Sequence, residues 1–259
     1  MKKQKAKTLV VTSWNDRLYK EYAHLFEQTY NWEMDYIVYN EDQGMFEEIP
    51  ECKAFVERHK NRGKKRWTHD AVRFCYKVYA YCHALRTYEE DYDGIIFIDA
   101  DSYFYKPIDE AWIEKHIRRE NTMITYLGRG TYHSECGFLY FNLKHPSIQN
   151  FADKLQSMYD EDKLFELKEH HDSYVFDAVR KMYQKKGVEN YDIGDGDWGH
   201  VQERSILGGI YDHMKGGRKY EGGSFENQLS KNYSEERIKL SQQDWSEWRI
   251  KSIPKRRRV

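Results

Sequence analysis

Short apolar runs alternate with amphipathic stretches along most of the chain. Residues 8–13 form an apolar run between polar flanks, which predicts a buried strand. Asp16 is placed to cap a helix in which Leu18, Tyr22, Leu25, Phe26 and Thr29 recur at helical spacing. Residues 34–39 alternate as a second strand, ending at Asn40-Glu41-Asp42. A strand, helix, strand order of this length points to a parallel βαβ unit. Residues 43–66, with Gly44 and Pro50, predict a short helix and then a mobile basic loop from Arg58 to Arg66. Helical periodicity returns over 69–88, with Val72, Tyr76, Tyr79 and His83 on one side and Asp70, Arg73, Lys77, Ala80 and Ala84 on another. Gly94-Ile95-Ile96-Phe97-Ile98 predicts a central strand. Two more are expected at 123–127 and 137–142, joined by a loop through Gly128-Arg129-Gly130. Helices follow at 146–159 and 172–185, and a strand near 188–193. From Gly194 on, glycine and aromatics abound and little periodicity remains. With no internal repeat or interior linker, a single α/β domain is expected.

Composition changes this picture little. The 42 basic and 43 acidic residues leave a net charge of −1, so no global field draws the chain to nucleic acid. An aromatic content of 16 %, with 22 tyrosines, argues against disorder. Such rings also offer flat faces suited to sugars and nucleobases, although most of them are expected in the core. No apolar run approaches the roughly 18–20 residues of a membrane helix, and Leu9-Val10-Val11 is too short for a signal peptide. The chain therefore reads as soluble and cytoplasmic, with no transmembrane segment. Cys52, Cys75, Cys82 and Cys136 show no metal-type pairing and are expected to be reduced thiols, Cys75 and Cys82 buried in a helix. The basic ending Pro254-Lys255-Arg256-Arg257-Arg258-Val259 is similar to a nuclear-import signal or a nucleic-acid contact. It is read instead as a solvated terminus.

The chemistry sits at Asp99-Ala100-Asp101. Residues two apart in a strand point to the same side, so Asp99 and Asp101 aim two carboxylates at one point. That point is the carboxyl end of a buried strand, where open α/β sheets bind ligands. Two such carboxylates repel unless one takes a proton or a cation sits between them. Oxygen ligands of this kind suit Mn²⁺ or Mg²⁺, which keep positions open for diphosphate oxygens. A pair of solvated turn carboxylates is the competing reading.

Phe97-Ile98-Asp99-Ala100-Asp101-Ser102 resembles the D-x-D strand end of GT-A-fold glycosyltransferases. The resemblance covers most of the chain, to about Tyr220. It implies a Rossmann-like, mixed but mainly parallel sheet flanked by helices over residues 1–220. Residues 221–259 would then be an extension packing on that domain or trailing from it. It also implies a metal held by the D-x-D that grips the diphosphate of a sugar donor. Asp212-His213-Met214-Lys215-Gly216-Gly217-Arg218-Lys219 contains H-x-x-G-x-x-K, similar to the late motif of the retaining glycogenin-like family. Carried over, His213 is a third metal ligand, Gly216 lets the backbone approach phosphate and Lys219 neutralises it. Tyr220-Glu221 stands where that family has Pro-Trp. Arg73 and Lys77 resemble the cationic helix face that meets the donor phosphates or the metal-site carboxylates. His170-His171-Asp172-Ser173 resembles the H-D-E-S run of the blood-group-transferase-like family, which puts Asp172 in the place of the catalytic carboxylate. Glu135, in Glu135-Cys136-Gly137-Phe138, is a second candidate, either catalytic or in contact with acceptor. The loop after the first strand implies base contacts from Thr12 or Trp14.

The expected reaction is transfer of a hexose from a nucleoside-diphosphate sugar, UDP by preference, to a hydroxyl acceptor such as a glycan, with retention. A nucleotidyltransferase usually carries a glycine-rich basic loop after the first strand, and Thr12-Ser13-Trp14-Asn15-Asp16-Arg17 has no glycine. A catalytically inactive sugar-nucleotide-binding protein is the other alternative, against which the intact D-x-D weighs.

Overall fold

The computed structural model describes residues 7–63, 66–194, 201–215 and 257–258. The helical elements are α1 (Asp16–Leu18), α2 (His24–Thr29), α3 (Met45–Glu48), α4 (Pro50–His59), α5 (Ala71–Thr87), α6 (Glu110–His116), α7 (Ile148–Asp160), α8 (Asp172–Gln184) and α9 (Val201–Arg204). The strands are β1 (Thr8–Trp14), β2 (Tyr36–Asn40), β3 (Gly94–Ile98), β4 (Ser102–Phe104), β5 (Ile124–Arg129), β6 (Tyr132–Asn142), β7 (Asn190–Asp192), β8 (Tyr211–His213) and β9 (Arg257–Arg258).

Among the described residues the main sheet runs β7-β5-β6-β3-β1-β2-β9, and β4 and β8 form a separate ladder. β1 is parallel to β2 and β3, β9 to β2, and β7 to β5, while β6 is antiparallel to both its neighbours. The sheet is thus mixed and mainly parallel, flanked by helices as expected. The chain leaves β1 toward β2 on one side and returns to β3 on the other. This opens a crevice at the carboxyl ends of β1 and β3, the switch point where α/β sheets take ligands.

Both faces of the sheet are covered, which is why its strands read as continuous apolar runs. Leu9, Val11, Ile95, Phe97, Leu139 and Phe141 pack on the face shared with α4, α5, α7 and α8. Val10, Trp14, Ile96, Ile98, Phe138 and Tyr140 pack on the opposite face with Phe26, Phe104 and Ile113. The four cysteines are free and buried. No described helix is long and apolar enough to cross a membrane.

Several local expectations change. The cap of α1 is Asn15, whose side chain accepts from the Leu18 amide at 2.8 Å, and Asp16 is the first helical residue. Tyr19–Ala23 is a π-helical turn between α1 and α2. The helix Pro50–His59 takes in the start of the predicted basic loop, with Arg58 and His59 both tied to Asp162 at 3.2 and 2.8 Å. Gly128 and Arg129 remain in β5, and the turn falls at Gly130, whose φ of 60° is left-handed. Arg257–Arg258 pairs with Ile37 and Val38 along the open edge of β2, where a solvated terminus was expected. The boundary expected near 220 lies outside the described residues.

Candidate active site

β3 delivers the two aspartates. Its five residues are buried and its ladder with β6 ends at Ile98–Phe138. The Asp99 amide then donates to the Gly137 carbonyl at 3.1 Å, and Ser102 Oγ donates back to the Asp99 carbonyl at 2.8 Å. On the far side the Met214 amide donates to the Asp101 carbonyl at 2.7 Å. This clamps the D-x-D turn from both ends.

The short β4–β8 ladder brings up the histidine, with Ser102 directly opposite His213. His213 Nε2 lies 3.1 Å from Asp101 Oδ1 and 3.5 Å from Asp99 Oδ2. One ligand atom from each of Asp99, Asp101 and His213 falls within 4.8 Å of the others. Burial pushes the Asp99 carboxyl up despite the pull of Lys77 and His213. Burial draws the His213 imidazole down, but Asp101 more than reverses this and leaves it raised. The imidazole stands against both carboxylates, so the three side chains present their donor atoms to one point. Two carboxylates and one imidazole suit Mn²⁺ better than Mg²⁺, which prefers oxygen alone. The residues therefore fit the expected metal.

Gly137 makes room for that ring. A Cβ there would lie 2.4 Å from both Cε1 and Nδ1 of His213 and 3.2 Å from Glu135 Oε1. The ring is buried. Gly137→Ala is expected to weaken Mn²⁺ binding by about tenfold or more with the fold intact. Calorimetric titration and circular dichroism check this, and an unchanged affinity would remove His213 from the ligand set.

Lys77 reaches the same point from α5. Its ammonium sits 2.9 Å from Asp99 Oδ1 and 2.7 Å from Asp172 Oδ2, and donates to the Cys136 carbonyl at 3.3 Å. Burial draws the lysine pKa down, but Asp172 and Asp99 hold it well above its ordinary value. Asp172, the first residue of α8, is buried behind this lysine. Arg73, one turn earlier on α5, is exposed, with its guanidinium 5.4 Å from the Phe74 ring.

Glu135 lies on β6 behind His213, in an ion pair with Lys215 and 3.7 Å from Arg129 Nη1. Burial pushes its carboxyl up, but Lys215, His213 and Arg129 together hold it well below the usual range. Lys215 and Arg129 were not foreseen. Lys215 lies inside the H-x-x-G-x-x-K segment, but at a position to which the motif assigns no role.

Asp99, Asp101 and Lys77 also line a cavity of about 600 Å³, a size suited to a small-molecule ligand. Its lining includes Arg73 and Lys77 of α5, Ser13, Asn15 and Glu41, and Asp99, Ala100 and Asp101. Burial pushes the Glu41 carboxyl up to about 7, against a hydrogen bond from Asn15. Thr12 and Trp14 do not reach the cavity. Both are buried in the sheet, and the Trp14 ring packs on Tyr19 and Phe26 at 5.9 and 5.7 Å. Ser13 and Asn15 stand where those contacts were expected. Gly216 and Lys219 lie outside the described residues.

No protein-family model matches the chain, and no curated protein does. Among solved structures it is similar to a glycosyltransferase involved in the glycosylation of the major capsid of PBCV-1 (TM-score 0.48, 11 % identity, 83 % of this chain and 99 % of that one). It is also similar to the apo-form glycosyltransferase GlyE in Streptococcus pneumoniae TIGR4 (TM-score 0.45, 14 % identity, 94 % of this chain and 62 % of that one). A third is the apo structure of the bifunctional glycosyltransferase WbbM (TM-score 0.41, 12 % identity, 69 % of this chain and 38 % of that one). The chain thus spans less than two thirds of GlyE and WbbM.

Proposed function

We propose that the chain is a metal-dependent glycosyltransferase that moves a hexose from a nucleoside-diphosphate sugar, UDP by preference, to a hydroxyl acceptor with retention. The observation that carries this reading is the convergence of Asp99, Asp101 and His213, the two aspartates lining a cavity together with Arg73 and Lys77. Asp99, Asp101 and His213 would hold a divalent cation, which would supply positive charge to the departing diphosphate. Lys77 holds Asp99 in place and adds a second fixed cation to the cavity lining. Arg73, exposed and lining the cavity, suits bidentate contact with phosphate oxygens.

Retention is favoured because neither candidate carboxylate is arranged as a general base. Glu135 is held far below the range in which it would accept a proton, and Asp172 faces the Lys77 ammonium. Attack from the leaving-group face needs no such base on the protein. The test is a donor screen with Mn²⁺ over UDP-, GDP- and other activated sugars, with the product anomer followed by NMR. Mn²⁺-dependent turnover of one donor with retained configuration is expected. No metal-dependent binding of any donor would overturn the transferase reading, and an inverted product would overturn retention.

Glu41 gives this site a pH dependence. Below about 7 its carboxyl is neutral and the cavity lining loses a negative charge, with Arg17 and Asp42 as its charged neighbours. UDP should therefore bind more tightly at pH 6 than at pH 8, by a margin that Glu41→Gln shrinks. Calorimetry on both proteins at the two pH values checks this, and identical pH profiles would exclude Glu41 as the source.

A further inference from the structure

A second group of metal-type donors lies on the other side of Asp172. His133 is the second residue of β6, while Glu169 and His171 sit in the segment that leads into α8. One ligand atom from each falls within 4.8 Å of the other two. His171 Nε2 is 3.0 Å from Glu169 Oε2, and the two imidazole rings meet with centroids 4.4 Å apart at 64°.

We propose that His133, Glu169 and His171 form a second divalent-metal site, of zinc type, distinct from the aspartate site. A hydrogen-bonded His171–Glu169 pair would account for two members but not for the second imidazole turned against the first. The donor set of two imidazoles and one carboxylate is softer than that of Asp99, Asp101 and His213, and selects Zn²⁺ or Co²⁺ over Mg²⁺. Three protein ligands leave the fourth position of a tetrahedral ion to water or substrate.

The surroundings hold the donors in place, as metal sites require. Arg129 donates to the carbonyls of His133 and Ser134 at 2.7 and 3.3 Å. Asp177 on α8 accepts from the Ser134 amide and hydroxyl at 3.1 and 2.7 Å, which locks the start of β6 to the helix that follows His171. The His171 ring is walled by Trp67 and Phe74, with centroids at 5.2 and 6.1 Å. Arg66 approaches Glu169 Oε1 at 3.9 Å, on the oxygen that does not face His171. Behind the ring, His171 Nδ1 lies 4.0 Å from Asp172 Oδ1, so a carboxylate backs the imidazole on the side away from Glu169. Asp172 in turn pairs with Lys77 and so links the two centres.

The test is Co²⁺ titration of the full chain, read by visible d–d absorption and by metal content after gel filtration. It is run on the wild type, on Asp99→Asn/Asp101→Asn and on His133→Asn, with Glu169→Gln as a second variant that leaves both rings in place. The expected result is an absorbing equivalent of Co²⁺ that survives Asp99→Asn/Asp101→Asn, is displaced by Zn²⁺, and falls at least tenfold in affinity in His133→Asn and in Glu169→Gln. Co²⁺ uptake abolished by Asp99→Asn/Asp101→Asn and unchanged in the other two variants would overturn the proposal. So would the absence of any absorbing Co²⁺ species. Because the readout is metal binding and not turnover, the result stands whether or not the transferase reading holds.

Discussion

Asp101→Asn is expected to lower donor turnover by about a thousandfold or more, the scale on which fixed charge at a developing anion acts. The same change should remove Mn²⁺-dependent binding of the nucleotide sugar. Asp101 Oδ1 is the carboxylate oxygen closest to His213 Nε2, at 3.1 Å, and its carbonyl is tied to Met214, so the site's two halves meet on this residue. Asparagine keeps the shape and one oxygen but loses the charge, so the turn should persist while the metal is lost. Turnover measured across Mn²⁺ concentrations separates two outcomes. A rate that recovers at high Mn²⁺ places the defect in affinity, and one that stays low places it in the chemical step. Unchanged turnover at every concentration would refute the assigned role. The effect should exceed that of Arg73→Ala, since Arg73 is exposed and gives up its hydration to reach a ligand.

How much of this was legible depended on the length of the signal. β1, β3, α7 and α8 follow from apolar runs and helical periods long enough to stand clear of chance, and they lie within a few residues of their expected bounds. The D-x-D was readable because its meaning lies in a spacing of two at a strand end. β4 and β8 span three residues each, too few to carry a period, yet their pairing is what sets His213 against the aspartates. Only the motif resemblance pointed to that histidine. Thr12 and Trp14, both buried, are a different case. A strand covered on both faces gives no alternation, so nothing in 8–13 told which side of β1 faces the crevice. Trp14 shares the face of Val10 and enters the core, whereas Ser13, one residue before it, lines the cavity. On α5 the expected single apolar side is absent, because sheet and helices surround it. Cys75, Val78, Tyr79, Tyr81, Cys82 and Leu85 are all buried, and the lysine on that helix is as consequential as its apolar residues.

Lys77 is where site and stability meet. Its ammonium donates to Asp99 Oδ1 and the Cys136 carbonyl, pairs with Asp172 Oδ2 at 2.7 Å, and lies 5.6 Å from the Phe97 ring centroid. Lys77→Met keeps the stem and removes the charge, leaving the buried Asp172 and half-buried Asp99 carboxylates without their shared cation. Breaking a buried ion pair from one side costs about 3–5 kcal/mol, more than a surface pair can. For a domain of this size that is a fall in Tm on the order of 10 °C. Lys77→Met/Asp172→Asn should recover much of that loss, because one of the two uncompensated charges is gone. It should not recover turnover, since Asp99 still lacks the ammonium that holds it and the cavity lining has lost a cation. Denaturant unfolding of the single and double variants, set beside donor turnover for each, tests both halves. A single variant within 1 kcal/mol of wild type would show that Lys77 bridges nothing that matters to the fold, and recovered turnover in the double variant would remove it from the donor site.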